Sequence, residues 1–223
     1  MRFYVNSKTK DGGERVKRHL STIGEVVSSP EECDLIVSVG GDGTLLNSGK
    51  LAIQLDKPVV GINAGHLGYL CAYKIDELES LTLNDFKCLK QTSRTTIEYD
   101  GHIAINDICV LKANPVQSIE VSVEGVASWK GDGVIVSTPT GSSSYNQSAG
   151  GPILDPISNE LIVTPVCPHF ASKGYQILKD DEVRIDVSDR TPSLLTVDDK
   201  VIGPVQGRVT IRKSKKSLKL LTK

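Results

Sequence analysis

Between Leu35 and Ile62 the chain reads as an apolar run, a glycine-rich turn, a helical register and a second apolar run. The spacing predicts a strand over Leu35 to Val39, a helix from Thr44 to Leu55 carrying Leu45, Leu46, Leu51, Ala52 and Leu55 on its register, and a strand over Pro58 to Ile62. Strand, helix and strand in so short a span form a βαβ unit with a right-handed crossover and a parallel sheet covered by helices. A first strand over Arg2 to Val5 and a helix over Gly13 to Leu20, with Val16 and Leu20 on one face, extend the pattern toward the N-terminus.

The texture changes near Gln91. From Thr95 onward short runs rich in Val, Ile and Thr recur, with strand alternation visible in Ile119 to Val123 and Val183 to Val187. The expected fold is an α/β N-terminal Rossmann-like domain over 1–90 and a β-rich, β-sandwich-like domain over 91–223. The last strand is free to return to the first domain, and the active site is expected in the cleft between the two. The basic tail "RKSKKSLKLLTK" reads as lysines guarding an exposed edge strand rather than a nucleic-acid patch.

Composition excludes more than it selects. With 26 basic and 27 acidic residues the net charge is −1, and nothing favours a nucleic-acid or membrane partner. Aromatics make up 4%, too few for stacking single-stranded bases. The five cysteines, Cys33, Cys71, Cys88, Cys109 and Cys167, are scattered. They read as reduced, mostly buried thiols of a cytoplasmic protein, with no zinc-like ligand spacing and no resident metal. Neither a signal peptide nor an apolar run of membrane-helix length is evident.

The turn "GGDGT", Gly40 to Thr44, places Gly40, Gly41 and Gly43 where positive φ and close approach to the backbone serve an anion, beside the amino end of a helix. Asp42 sits at its tip. It is either the N-cap of a tight turn or a group kept for chemistry, since a carboxylate beside phosphates is repulsive unless it takes a proton or faces a cation. Neither a Walker loop nor a dinucleotide fingerprint matches. "AINDICV" sets Asn106 and Asp107 within an apolar strand, where burying them without partners costs about 1–3 kcal/mol each. "GVIVSTPTGSSSYNQSAGGPIL" reads as a strand followed by a short helix from Ser142 to Ala149, stopped by Gly150 and Gly151. On residues alone that segment is equally a structural loop. His66, in "GINAGHLGYL", is a weak catalytic candidate.

"GGDGT" resembles the signature shared by NAD kinases, diacylglycerol and sphingosine kinases, and phosphofructokinases. "GINAGHLGYL", "AINDICV" and the long "STPTGSSSYNQSAGGPI" stretch select among them. The last is similar to the NAD kinase pattern "STPTGSTAYSLSAGGPI", and the likeness runs from about Asp34 to Pro168 and more weakly through "LLTVDDK". The chain is identified as a member of the NAD kinase family. The resemblance implies transfer of a phosphoryl group from ATP, another triphosphate or polyphosphate to the 2′-hydroxyl of the adenosine ribose of NAD, giving NADP.

It implies further that Asp42 accepts the ribose proton and Gly43 backs the phosphates. Asn47, Asn106, Asp107, Lys130, Asp132, Ser143, Ser144, Tyr145, Asn146, Gln147 and Ser148 stand at nucleotide-binding positions. A divalent cation, Mg²⁺ or Mn²⁺, is implied with the donor, and a homodimer or homotetramer as the assembly. Departures from the family pattern are Ser143 and Ser144 for Thr-Ala, Asn47 for a basic residue, Asp199 and Lys200 where small residues or histidine, and glutamine, are frequent, and a missing Arg-Pro after "PHF". They bear on the donor and on regulation. The rivals are a lipid kinase of the same superfamily, which needs an acyl channel, and a non-catalytic NADP sensor, against which the retained Asp42 argues.

Overall fold

Leu35, Ile36, Val37 and Val39 are at most 1% exposed, as a parallel strand covered on both faces requires. They belong to a computed structural model that describes residues 1–65, 69–169 and 174–223. It divides into two units, Met1–Ser93 with Ser217–Lys223, and Arg94–Lys216. The N-terminal unit is α/β and the second is β-rich.

The first unit carries strands β1 (Arg2–Ser7), β2 (Glu25–Val26), β3 (Leu35–Gly40), β4 (Val59–Asn63), β5 (Tyr73–Lys74) and β6 (Lys90–Arg94), with helices α1 (Lys10–Ile23), α2 (Asp42–Leu55) and α3 (Leu83–Lys87). The sheet runs β2-β1-β3-β4, then the C-terminal strand Leu218–Thr222, then β6, with β5 also paired to β4. The pairings of β1 with β2 and β3, and of β4 with β3, β5 and the C-terminal strand, are parallel. Strand order reverses between β1 and β3, and ligands of such sheets bind beyond the carboxyl ends of the strands at that point. Beneath, Val16 and Leu20 of α1 are fully buried with Phe3, Val37 and Ile62. Phe86 meets Phe3 and Tyr73 edge-on at 5.4 and 5.6 Å, each pair adding about 0.5–1.5 kcal/mol beyond its buried area.

The basic tail departs from the edge-strand expectation. Its last strand lies inside the sheet, with Leu218 and Leu220 fully buried. Three of its lysines pair with carboxylates: Lys213 with Asp181 at 2.9 Å, Lys219 with Asp56 at 2.7 Å and Lys223 with Glu77 at 2.8 Å. A parallel sheet needs an apolar strand here, and Leu218, Leu220 and Leu221 supply it.

The second unit begins with β7 (Ile97–Tyr99), β8 (His102–Ala104), β9 (Asp107–Lys112), β10 (Ile119–Val123), β11 (Ala127–Gly131) and β12 (Gly133–Ser137). After the short helix α4 (Tyr145–Ser148) come β13 (Leu161–Val166), β14 (Gln176–Leu178), β15 (Glu182–Val187), β16 (Ser193–Val197), β17 (Lys200–Val205) and β18 (Gly207–Lys213). They form two six-stranded sheets, β11-β10-β15-β18-β7-β8 and β14-β13-β12-β9-β16-β17. One apolar cluster draws on both, including Ile97, Val121, Ile185 and Ile211 from the first and Ile108, Val134, Val136 and Val163 from the second.

The chain passes between the sheets at Ile105 and Asn106, and again at Asp132. "HIAINDICVL" is therefore two strands and not one. Asn106 occupies the corner, and Asp107, 4% exposed, opens β9. The corner exists because β8 and β9 pair with different neighbours, which alternation within one strand cannot reveal.

Candidate active site

Gly40 ends β3 at φ 154, and a Cβ there would lie 2.4 Å from the hydroxyl of Thr44. Only this glycine of the loop has the positive φ expected of all three. Gly41 is the N-cap at φ −92, and Gly43 is helical. Their lack of side chains serves space instead: a Cβ at either would meet nothing within 4 Å.

Helix α2 starts at Asp42, two residues before the expected Thr44, because the N–H groups of Thr44 and Leu45 reach back to the carbonyl of Gly41 at 3.0 and 3.1 Å. Asp42 is thus the first helical residue and not the N-cap. Its carboxylate accepts N–H bonds from Tyr69 at 3.1 Å and Leu70 at 3.2 Å, in the segment after β4. Asn47, exposed one turn on, donates its amide to the carbonyl of Gly43 at 3.2 Å. Burial, with Asp42 adding, pushes the Cys71 thiol up to about 11. His66 lies outside the described residues, as do Phe170 to Lys173 of the "PHFASKG" segment.

In the second unit the Asn106 corner is held from two sides. The carboxylate of Asp198 accepts the N–H of Asn106 at 2.8 Å, of Ile105 at 3.1 Å and of Asp107 at 3.3 Å. The carbonyl of Asn106 accepts the N–H of Thr138 at 2.8 Å and the hydroxyl of Ser137 at 3.2 Å. Thr138 also donates its hydroxyl to the carbonyl of Ile105 at 2.6 Å. Gly141 is required here, since a Cβ on it would sit 2.2 Å from the Asn106 carbonyl oxygen. The Cys109 thiol, 3.4 Å from the Asp107 carboxylate, is pushed up by burial first and by Asp107 second.

The segment after β12 is not one helix from Ser142 to Ala149. A 3₁₀ turn spans Thr140–Ser143, Ser144 breaks it at φ −99 and ψ −129, and α4 follows. The break exposes Ser143, Ser144, Tyr145, Gln147 and Ser148, while Asn146 is fully buried. The Asn146 amide donates to the carbonyls of Ser142 and Pro152, both at 2.9 Å, and accepts the Thr164 hydroxyl at 2.7 Å. Gly151 leaves room for that amide: a Cβ there would lie 2.1 Å from it. Asn146 therefore braces the segment from inside while its neighbours face outward.

Lys130 is exposed at the end of β11, and Asp132 pairs with Lys112 at 2.7 Å. Tyr145 has its phenol pushed up, first by burial and then by the nearby Cys109, Cys167, Asp132 and Asp107. Asp107 opens the paired stretch of β9 and β12, and Asp132 lies just beyond its other end, opposite Lys112, five residues or about 17 Å along the strand.

Of the five free thiols only Cys33 and Cys109 are buried, whereas Cys88 and Cys167 are exposed, so the expectation of mostly buried cysteines fails. Sequence reasoning also missed Asp198. The only signal was the acidic pair Asp198-Asp199 in the turn between two strand-like runs, a place where Asp ordinarily serves local turn geometry.

Comparison with known proteins agrees along the length of the chain. The family model described as the ATP-NAD kinase N-terminal domain matches residues 3–84, and that of the ATP-NAD kinase C-terminal domain matches residues 98–222. An NAD kinase of Sulfurimonas denitrificans is 34% identical over 207 residues, covering 86% of this chain and 73% of its own. One of Heliobacterium modesticaldum is 34% identical over 228 residues, covering 91% and 81%. A solved NAD kinase from Archaeoglobus fulgidus, in complex with ATP, matches with a TM-score of 0.83 at 28% identity, over 100% of this chain and 94% of that one. A yeast NADH kinase complexed with NADH shares the fold, with a TM-score of 0.82 at 21% identity over 100% and 83%.

Proposed function

The chain belongs to the ATP-NAD kinase family and is an NAD kinase, and from that premise we propose how its own residues carry the transfer. NAD is phosphorylated on the 2′-hydroxyl of its adenosine ribose to give NADP. Neither a lipid kinase nor a non-catalytic sensor finds support among its relatives.

Asp42 is the general base. The 2′-oxygen attacks the terminal phosphorus of the donor, its proton passes to the Asp42 carboxylate, and the bond to the leaving diphosphate oxygen breaks. One observation carries this reading: the Asp42 carboxylate is held by the N–H groups of Tyr69 and Leu70, at the carboxyl ends of parallel strands, beside open space over Gly41 and Gly43. The free N–H groups at the start of α2 and its dipole favour phosphate there. Asn106 and Asp107 take the dinucleotide. The outward residues Ser143, Ser144, Gln147 and Ser148 wrap it and Tyr145 offers a flat face, while Lys130 and Asp132 mark its far end. The first unit, with its parallel strands and flanking helices, is read as Rossmann-like.

ATP is the donor, a reading supported by the bound nucleotide of the Archaeoglobus relative. Among the described residues no three His, Cys, Asp or Glu side chains converge to hold a metal. The divalent cation is read as part of the substrate, carried on the donor's phosphates, where it neutralises developing charge. The free thiols support a cytoplasmic setting. The test is NADP formation from NAD, Mg²⁺ and a panel of ATP, other triphosphates and polyphosphate, with diacylglycerol as a parallel acceptor. Label entering the lipid and not NAD rejects the assignment.

A further inference from the structure

We infer that Asp198 is a positioning residue for the dinucleotide, acting through the backbone of Asn106 and Asp107. The inference rests on the reading of that pair as dinucleotide contacts.

Asp198 stands in the turn between β16 and β17 at φ 51, a left-handed state that Asp and Asn tolerate better than other side chains. From there its carboxylate accepts three successive N–H groups, those of Ile105, Asn106 and Asp107, the shortest at 2.8 Å. Its own N–H returns a bond to the carbonyl of Asp107 at 2.9 Å. Successive amides converging on one point make an anion-binding concavity, and here the chain supplies the anion itself.

The carbonyl of Asn106 is held by Ser137 and Thr138, which lead into the Thr140–Ser148 segment. One residue thus joins both dinucleotide-binding segments, its N–H set by Asp198 and its carbonyl by Ser137 and Thr138. None of these bonds uses the side chains of Asn106 or Asp107. They fix only where those side chains start, which is what a positioning role requires.

Charge matters to the arrangement. A carboxylate facing three donors makes charge-assisted bonds roughly twice as strong as neutral ones. Asparagine keeps the left-handed turn but presents one acceptor and two donors to the same amides. Asp198→Asn therefore isolates the charge, and Asp198→Gly removes the side chain while keeping the turn. The corner then relaxes and misplaces Asn106 and Asp107.

The experiment compares wild type, Asp198→Asn, Asp198→Gly and Asn106→Ala, reading kcat, the KM of each substrate, and NAD binding by calorimetry in the absence of donor. Asp198→Asn is expected to raise the KM and Kd for NAD by ~10–100-fold, with the KM for ATP within about threefold of wild type and unfolding still cooperative. Should that variant fail to fold, Asp198→Gly is read on the same scale. A merely structural role lowers Tm and the active fraction, hence kcat, and leaves both KM values unchanged; that result overturns the inference. So does an NAD affinity unchanged in both Asp198 variants while Asn106→Ala loses it. Unchanged NAD affinity in Asn106→Ala instead overturns the reading of the pair itself.

Discussion

The carboxylate of Asp42 accepts the backbone N–H of Leu70 at 3.2 Å, 28 residues further along the chain. A carboxylate at the first position of a helix would ordinarily turn toward its own free amides. Here it turns to the segment after β4, which also offers the N–H of Tyr69. The orientation of the proposed base is thus set by two parallel strands ending side by side, β3 bearing the acid and β4 leading into the amides that hold it.

Asp42→Asn keeps an acceptor for one of those amides and loses the basic group. NAD binding measured by calorimetry is expected to stay within a few-fold of wild type, while NADP formation falls by ~10²–10⁴-fold. Turnover near the wild-type rate removes Asp42 from the role of base.

Asn146→Ala strands the carbonyls of Ser142 and Pro152 and the hydroxyl of Thr164 in a buried site. The expected loss is on the order of 2–4 kcal/mol in denaturant unfolding, with a raised KM for NAD. Gly151→Ala drives a methyl into the same amide and should act in the same direction. Unchanged stability in both refutes the brace.

Thr140 is 6% exposed, and its hydroxyl is buried with no hydrogen-bond partner among the described residues. Thr140→Val removes that hydroxyl at nearly constant shape. Stability should rise by about 1 kcal/mol, or about 2–4 °C in Tm, in a thermal melt of the ligand-free protein. A fall in Tm shows that the hydroxyl is satisfied.

Acid should weaken the fold through exposed carboxylates held by ion pairs and by a capping hydrogen bond. Bonding to Lys223 holds Glu77 below the usual glutamate range, Thr82 does the same for Asp85, and Arg208 for Asp186. Each folded-state pKa is depressed, so the contribution is fully present above the unfolded values near 4 and is lost as pH falls through the folded ones. Urea midpoints should be flat above about pH 5 and decline below about pH 4, less steeply at high salt because the pairs are exposed. A midpoint that rises on acidification contradicts the sign.

Alkylation at about pH 8 should label Cys88 and Cys167 first, because thiolate access controls the rate. Cys71 should lag, its thiol pushed up to about 11 and its side chain in a half-buried site. Mass mapping of the modified peptides checks the order.

The sequence by itself determined the βαβ start, the β-rich second half, the family and Asp42 at the loop tip. Each is written in short-range pattern: period 3.6 in α2, continuous apolar residues in β3 and β4, and a motif of adjacent residues. Tertiary structure alone decided that Asn106 is a corner between two sheets, that Asp198 holds it from 92 residues away, that Asn146 points inward among outward neighbours, and that the lysine-rich tail ends in an interior strand. Periodicity reports that a side chain is buried; it carries no record of what covers it. A carboxylate in a turn reads the same whether it closes that turn or anchors three amides of a distant strand, and only the folded chain separates the two.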